Sequence, residues 1–454
     1  MTSGLSVSQM VECRANPLFS GKSWKWSPFP WSLDAHSKEQ IKALGSAAVS
    51  FYRAIETLYR KSSIGESILR NQDLLVPWVA EYYDAGKPEW LVAHTRSKRV
   101  RGALPAVLRP DLLSTDQGLS LVEWDSVPGG IGLTAQLENL YGMGADDRMV
   151  QAFGDALVSA VGRPGRDARM AIVVSEESET YRPEMEWLAE KLKSTGLNIK
   201  VCSPQELSSR ENGIFLGEEK LALIYRFWEL FDFEQIPIMR ELSKQVESGN
   251  VIVTPPMKHI QEEKLSLALF HHYRLQSFWE ENLTGTDLSL LRSLIPKSWI
   301  LDPVKIPPGA HLEGPICRGM PLSDWMDLSG ASKKERALVI KASGFHETAW
   351  GARSVVLGDD VSSTEWTSAI QQSLHLFPRP VSILQEFHKP VQSEHPVFND
   401  EDEPTMNKGR VRLSPYFFVS KDQAKWVGSL ATFCPADKKI IHGMSDGALM
   451  PCDR

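Results

Sequence analysis

Three carboxylates, Asp111, Glu123 and Asp125, fall within fifteen residues of one another in the stretch RPDLLSTDQGLSLVEWDSVPGGIGLTAQL, residues 109–137, with Arg109 two positions before the first. The turn-rich run Ser114, Thr115, Asp116, Gln117, Gly118, followed by the alternation of Leu119, Leu121, Glu123 and Asp125, predicts a hairpin. Residues two apart on a strand share a face, so Glu123 and Asp125 project together and the partner strand brings Asp111 beside them. Converging carboxylates repel unless protons or a cation intervene, and an all-oxygen set suits Mg2+ or Mn2+ bridging nucleotide phosphates better than zinc. The same spacing also describes a solvated hairpin with ordinary surface acids, which are common in a chain this charged.

Groups able to meet an anion lie farther along. ALVIKASGFHETAWGARSVVLG predicts strand, loop and strand, with Lys341 at the first strand's end and Gly344 and Gly351 bracketing the loop. A lysine leading into small residues can pair with a phosphate while backbone N–H groups cover it; a surface hairpin with an incidental lysine has the same pattern. VSILQEF, residues 381–387, reads as a short apolar strand ending in Gln385 and Glu386, and IQEEKLSLALFHHYRLQSFW as a helix carrying Lys264. The cluster Arg96, Lys98, Arg99, Arg101 either faces phosphate or covers a solvated surface. His271 and His272 have no partner at i+4, which argues against a metal role.

The elements that must position these groups follow from periodicity. The Trp- and Pro-rich SWKWSPFPWS reads as an irregular arm packed down by Trp24, Trp26 and Trp31. A long helix begins near Ser37, with Ile41, Leu44, Ala48, Phe51, Ile55 and Leu58 at helical spacing, a second helical stretch ends near Tyr83, and residues 90–93 read as a strand. Residues 168–254 alternate strand and helix, implying a small parallel sheet that serves as scaffold or substrate platform. Neither GxGxxG nor GxxxxGK[ST] occurs. The acidic SEHPVFNDEDEPTMNKG reads as a mobile loop, and RLSPYFFVS and KWVGSLATF as strands.

With 454 residues the chain can bury a large core in two to four structural units, and its 42% hydrophobic and 24% charged content is ordinary for a globular protein. A net charge of -7 offers no general attraction for nucleic acid or anionic membrane, so an anion site must be a local basic pocket. Five scattered cysteines without CxxC argue against a disulfide framework or structural zinc and fit a reducing cytoplasm. No targeting segment is visible, and the longest apolar run, 221–233, is broken by Arg226, Glu229 and Asp232.

Together these pieces resemble the ATP-grasp superfamily, and within it the circularly permuted branch related to glutathionylspermidine synthetase, over most of residues 90–450. The resemblance implies an α+β, ATP-grasp-like, circularly permuted fold with a small α/β parallel-sheet subdomain and an N-terminal helical region. The implied segments are an arm and helices (1–89), the carboxylate hairpin (90–160), the α/β platform (161–256), the lid and nucleotide-binding part (257–393), and an acidic loop with C-terminal strands (394–454). It also implies ATP and Mg2+ (or Mn2+). Asp111 and Glu123-x-Asp125 would hold metal, and Lys264, Lys341, Ser343, Gly344 and Gly351 would meet the phosphates. Gln385 and Glu386 would lie beside the adenine, and Arg109 would stabilise the transferring group. The metal motif preceding both lysines is what marks the chain as permuted. Asp125 stands where the pattern has Asn, and the loop from Ser343 carries His346, Glu347 and Trp350 where glycine is usual. The implied activity is ATP-dependent joining of a small-molecule or peptide carboxylate to an amine. A non-catalytic nucleotide-binding or scaffold protein of the same fold is the second reading, and an unrelated glycosyltransferase-type α/β enzyme the third.

Overall fold

A computed structural model of the chain describes residues 4–14, 16–19, 22–125, 127–144, 147–163, 165–349, 353–441 and 447–453. They form two compact units: Met1–Val49 with Ser97–Met257 and Pro390–Arg454, and Ser50–Arg96 with Lys258–Lys389. In chain order, helices α1 (Val7–Arg14), α2 (Ala35–Ser63), α3 (Pro77–Asp84) and α4 (Glu89–Arg96) precede the hairpin β1 (Val107–Thr115) and β2 (Gly118–Asp125). Helices α5 (Ile131–Leu140) and α6 (Arg148–Val161) lead to β3 (Arg169–Val174), α7 (Arg182–Ser194) and β4 (Asn198–Cys202). A meander of β5 (Leu207–Arg210), β6 (Gly213–Leu216) and β7 (Glu219–Lys220) comes before β8 (Leu223–Phe227), α8 (Met239–Glu247) and β9 (Ile252–Thr254). Next are α9 (Leu265–His271), α10 (Gln276–Asn282), α11 (Gly285–Leu294), β10 (Ser298–Leu301), β11 (Leu338–Ala342), β12 (Val356–Leu357), α12 (Ser363–Leu376) and β13 (Ser382–Glu386). Strands β14 (Ser393–Phe398), β15 (Pro404–Ser420), β16 (Gln423–Pro435) and β17 (Ala448–Pro451) end the chain.

The first unit holds two principal sheets. One is antiparallel in the order β17-β16-β15-β1-β2, with β14 also pairing β15. Its spine is the long hairpin of β15 and β16, and β1 joins through Leu112 opposite Leu413. The other sheet is parallel, in the order β4-β3-β8-β9, as the strand–helix alternation predicted. Its central strand β3 is buried from Met170 to Val174, the continuous apolar run expected where both faces are covered.

The second unit is built on the antiparallel sheet β10-β13-β11-β12. Leu338, Ile340 and Leu384 of this sheet pack with Trp325, Leu328, Trp366 and Ile370. Helix α12 starts at a capping box, Ser362 with Glu365, which places Trp366 inward with its indole N–H on the Leu328 carbonyl at 3.1 Å. Truncating so large a buried side chain to alanine would cost about 3–5 kcal/mol. The six apolar positions read in the long helix, Ile41 to Leu58, are all buried.

Three sequence expectations are corrected. Residues 90–93 lie in helix α4, because Leu91, His94 and Thr95 are buried at a spacing of three and four, which a strand cannot present to one side. The helix expected over residues 260–279 is interrupted: Lys264 precedes α9, and His272 takes an extended backbone before α10. The acidic stretch is not an irregular loop but β14 and the start of β15, joined by a turn in which Asp402 has positive φ. Its alternation puts His395 and Val397 inward and Glu394 outward, and Pro396 is tolerated because β14 pairs on one side only. Among the described residues no helix is long and apolar enough to cross a membrane.

Candidate functional site

The acid hairpin forms with the register that its turn dictates. Arg109 pairs Asp125 and Asp111 pairs Glu123 across β1 and β2, with an irregularity between Asp111 and Leu112. Strand β15 lies on the other side of β1, and its alternate residues Arg412, Ser414 and Tyr416 share a face. Asp111 Oδ1 accepts from Ser414 Oγ at 2.9 Å, and its Oδ2 lies 3.1 Å from Arg412 Nη1. Arg109 Nη2 is 2.6 Å from Asp125 Oδ2, and Asp125 Oδ1 accepts from the Val127 N–H at 2.9 Å. Arg109 Nε lies 3.5 Å from Asp111 Oδ1, an ion-pair contact without a hydrogen bond.

The Pro-Gly-Gly turn fastens this corner. Arg109 Nη1 and the Tyr416 hydroxyl both donate to the Gly129 carbonyl, at 3.0 and 2.8 Å. Gly130 has φ +86, and a Cβ there would run into the Tyr416 hydroxyl, so glycine is required twice over. The carboxylate of Glu184 accepts from the Gly130 and Gly132 N–H groups at 3.1 and 2.9 Å, capping the start of α5. Burial pushes the Glu184 carboxyl above its ordinary value despite those donors. Burial likewise pushes Asp125 up; Arg109 pulls against it, and the neighbouring Asp111 and Glu123 add to the rise. Arg109 is held charged well above its usual range: burial opposes the charge, but Asp125 and Asp111 outweigh it.

A second corner lies in the other unit. Lys341, buried on β11, donates to Gln385 Oε1 at 2.8 Å, and Gln385 Nε2 donates to Ser298 Oγ at 3.1 Å, so three adjacent strands are joined through one amide. Lys264 Nζ donates to the Ala349 carbonyl in the loop after β11 at 2.8 Å, and its backbone N–H to the Ser343 carbonyl at 2.9 Å. The Ser343 hydroxyl accepts from the Leu265 N–H at 2.7 Å and donates to Glu263. Glu263 in turn meets Lys87 at 2.5 Å, both nearly fully buried. A Cβ on Gly344 would strike the Glu262 carbonyl, so only glycine lets this loop approach. Glu386 is half-buried, its N–H on the Lys297 carbonyl at 2.8 Å and its carboxylate 3.8 Å from His388. Gly351 lies outside the described residues.

The second unit therefore joins Lys341 to Gln385 diagonally across β11 and β13 and gathers Lys264, Ser343 and Gly344 at the loop after β11, while Glu386 pairs with Leu338 at the other end of β11. The first gathers Arg109, Asp111, Glu123 and Asp125 on one hairpin. Sequence reasoning missed Arg412, Ser414, Tyr416 and Glu184. The R-x-S-x-Y alternation of β15 was available as a signal, but its pairing beside β1 joins residues about 300 apart and leaves no local trace. The cluster Arg96, Lys98, Arg99, Arg101 is divided by helix α4: Arg96 closes it and pairs with Asp84.

Both oxygens of Asp111 and of Asp125 are met by protein donors, and among the described residues no group of three or more His, Cys, Asp or Glu is arranged to hold a metal ion. The hairpin is thus no all-protein cage. Magnesium seldom needs one, since it keeps waters and takes one or two carboxylates together with a substrate's phosphates. Glu123 and the two paired aspartates offer only oxygen ligands, the donor type such an ion takes.

No protein-family model and no curated protein matches the chain. Among solved structures it is similar to a glutathione synthetase-like effector from Globodera pallida in the apo form, at 14% identity over 98% of this chain and 93% of that one, with a TM-score of 0.53. A structure named for gamma-glutamylcysteine synthetase, from Methylobacillus flagellatus, aligns at 13% identity over 93% and 89% with a TM-score of 0.43, too low to carry an argument. The first likeness gives the fold alone: a mixed α+β architecture of the glutathione synthetase-like kind, spanning nearly the whole chain.

Proposed function

We propose that this chain is an ATP-dependent carboxylate–amine ligase on a circularly permuted ATP-grasp fold, working in the cytoplasm. The observation that carries the reading is that Lys341, bonded to Gln385 across β11 and β13, leads into a glycine-requiring loop that Lys264, from a segment about 80 residues earlier, holds by its ammonium and its backbone N–H. In this reading Lys264 and Lys341 pair with phosphate oxygens, Gln385 and Glu386 meet the base, and Gly344 and Gly351 let the loop close over the phosphates. Asp111, Glu123 and Asp125 would hold magnesium, which when bound neutralises phosphate charge. Arg109, fixed by Asp125 and the Gly129 carbonyl, stabilises the acyl group being transferred.

The reaction has two steps. An acid's carboxylate oxygen attacks the γ-phosphorus, the bond to the bridging oxygen breaks, and ADP leaves an acylphosphate. The amine nitrogen then attacks the acyl carbon, loses a proton, and expels inorganic phosphate. Alignment and charge neutralisation supply the catalysis. The test is calorimetry with ATP and Mg2+, followed by ADP release across amino acids, short peptides and polyamines. Binding with acid- and amine-dependent ADP release is expected, and absence of nucleotide binding would end the reading. In Glu123→Gln, metal-dependent turnover should fall at least about 100-fold with the fold intact; retained turnover would remove Glu123 from the metal set.

A second reading, a nucleotide-binding scaffold without catalysis, is favoured by one observation: Arg109 and Arg412 already compensate Asp111 and Asp125. ATP binding without ADP release would select it.

A further inference from the structure

The parallel sheet of the first unit has a switch point. The chain runs from β3 outward to β4, then returns to place β8 on the opposite side of β3 before continuing to β9. Ligands of open parallel sheets sit outside the carboxyl ends of the strands at such a reversal. Here those ends are Val174–Ser175 and Phe227–Trp228, held together by the Ser175 N–H on the Phe227 carbonyl at 3.4 Å. Arg226, wholly buried, braces them by donating to the carbonyls of Trp228, Pro255 and Pro256.

Three buried donors at or near these strand ends make no hydrogen bond: Ser175 Oγ, Trp228 Nε1 and, two residues before the end of β8, the Tyr225 hydroxyl. Tyr225 and Trp228 are fully buried and Ser175 is 4% exposed. Such atoms are rare in folded proteins, because an unmade buried hydrogen bond costs free energy. The corner continues into the acid hairpin. Tyr181 packs tilted against Phe227, ring centroids 5.3 Å apart, and lies against Gly129, whose carbonyl holds Arg109, and the Nε atoms of Arg109 and Arg412 are likewise buried without a hydrogen bond. Indole and guanidinium N–H groups only donate, so the complement is an acceptor-only anion.

We infer that the carboxyl edge of β3 and β8 binds the carboxylate of an amino-acid or short-peptide substrate through Ser175, Tyr225 and Trp228. Four acids in the same corner, Asp111, Glu123, Asp125 and Glu184, against three arginines, Arg109, Arg226 and Arg412, favour a ligand that also carries an ammonium group over a bare anion. Calling that ligand a substrate rests on the ligase reading; the binding itself does not.

The probe is triglycine added to the full chain, compared with triglycinamide and with inorganic phosphate, while ATP binding is measured separately by calorimetry. The Trp228 indole N–H resonance is assigned by its loss in Trp228→Phe. Triglycine should shift it and triglycinamide should not. Ser175→Ala and Tyr225→Phe should each weaken triglycine binding about tenfold, with ATP affinity unchanged. Both variants remove an unsatisfied buried group, so their melting temperatures should not fall, which separates a lost contact from misfolding. No triglycine shift, an equal shift with the amide, or a response to phosphate alone would overturn the inference. Triglycine binding without ATP binding would instead overturn the ligase reading and leave this site standing.

Discussion

The hairpin corner and the lysine corner hold their cations in opposite ways. Arg109 and Arg412 are ion-paired to Asp111 and Asp125, so the hairpin's charges are compensated internally and its geometry is fixed. Lys341 and Lys264 donate to a side-chain amide oxygen and a backbone carbonyl, bonds that orient the ammonium. The first arrangement makes a rigid frame, because a bidentate-capable guanidinium between a buried and a partly buried carboxylate has few alternatives. The second aims each ammonium through a neutral acceptor. A residue's type therefore says little about whether it is structural or ligand-facing; the charge of its partner says more.

The comparison can be broken by substitution, the largest effect coming from the hairpin. Arg109→Met leaves the partly buried Asp125 with only the Val127 N–H and removes the ion pair to Asp111, and should cost up to about 3–5 kcal/mol in urea denaturation. Arg109→Lys should recover only part of that loss, since a point charge cannot reach Asp125, Asp111 and the Gly129 carbonyl together. Lys341→Met should cost less, about 1–3 kcal/mol from the lost Gln385 bond, but should weaken ATP binding about 10- to 100-fold by calorimetry. Equal stability losses in the two variants would erase the distinction. The smallest effect concerns Glu184. Its folded carboxyl titrates above the ordinary 4.5 because it is buried, so the folded state holds this proton more tightly than the unfolded chain. That contribution is complete below the unfolded value and disappears as pH rises through the folded one. Glu184→Gln should flatten this decline, seen as a shallower loss of stability between mildly acidic and neutral pH in urea titrations.

Local pattern was enough for much of the fold. The Gly118 turn and the alternation after it specified the acid hairpin, and the spacing of Ile41 to Leu58 specified a helix, because periods of 2 and 3.6 are written in consecutive residues. The parallel sheet was legible from strands alternating with helices. Where propensity was ambiguous the sequence misled: EWLVAHTR suits either state in isolation, and burial of Leu91, His94 and Thr95 together decided for helix. Charge hid the β14 strand, since the acids of that stretch suggested a loop while His395 and Val397 supplied an inward face.

By itself the sequence determined which residue types were available: three acids and an arginine on one hairpin, lysines at 264 and 341, and a glutamine and glutamate ending one apolar strand. Only the tertiary structure decided what each one faces. Strand β15 brought Arg412, Ser414 and Tyr416 to Asp111 and Gly129, turning a bare acid cluster into a compensated one, and the adjacent strands β10 and β11 set Gln385 between Ser298 and Lys341. The physical reason is that a charge's role depends on its desolvation and on partners within a few ångströms, which long-range strand pairing sets and local sequence does not record.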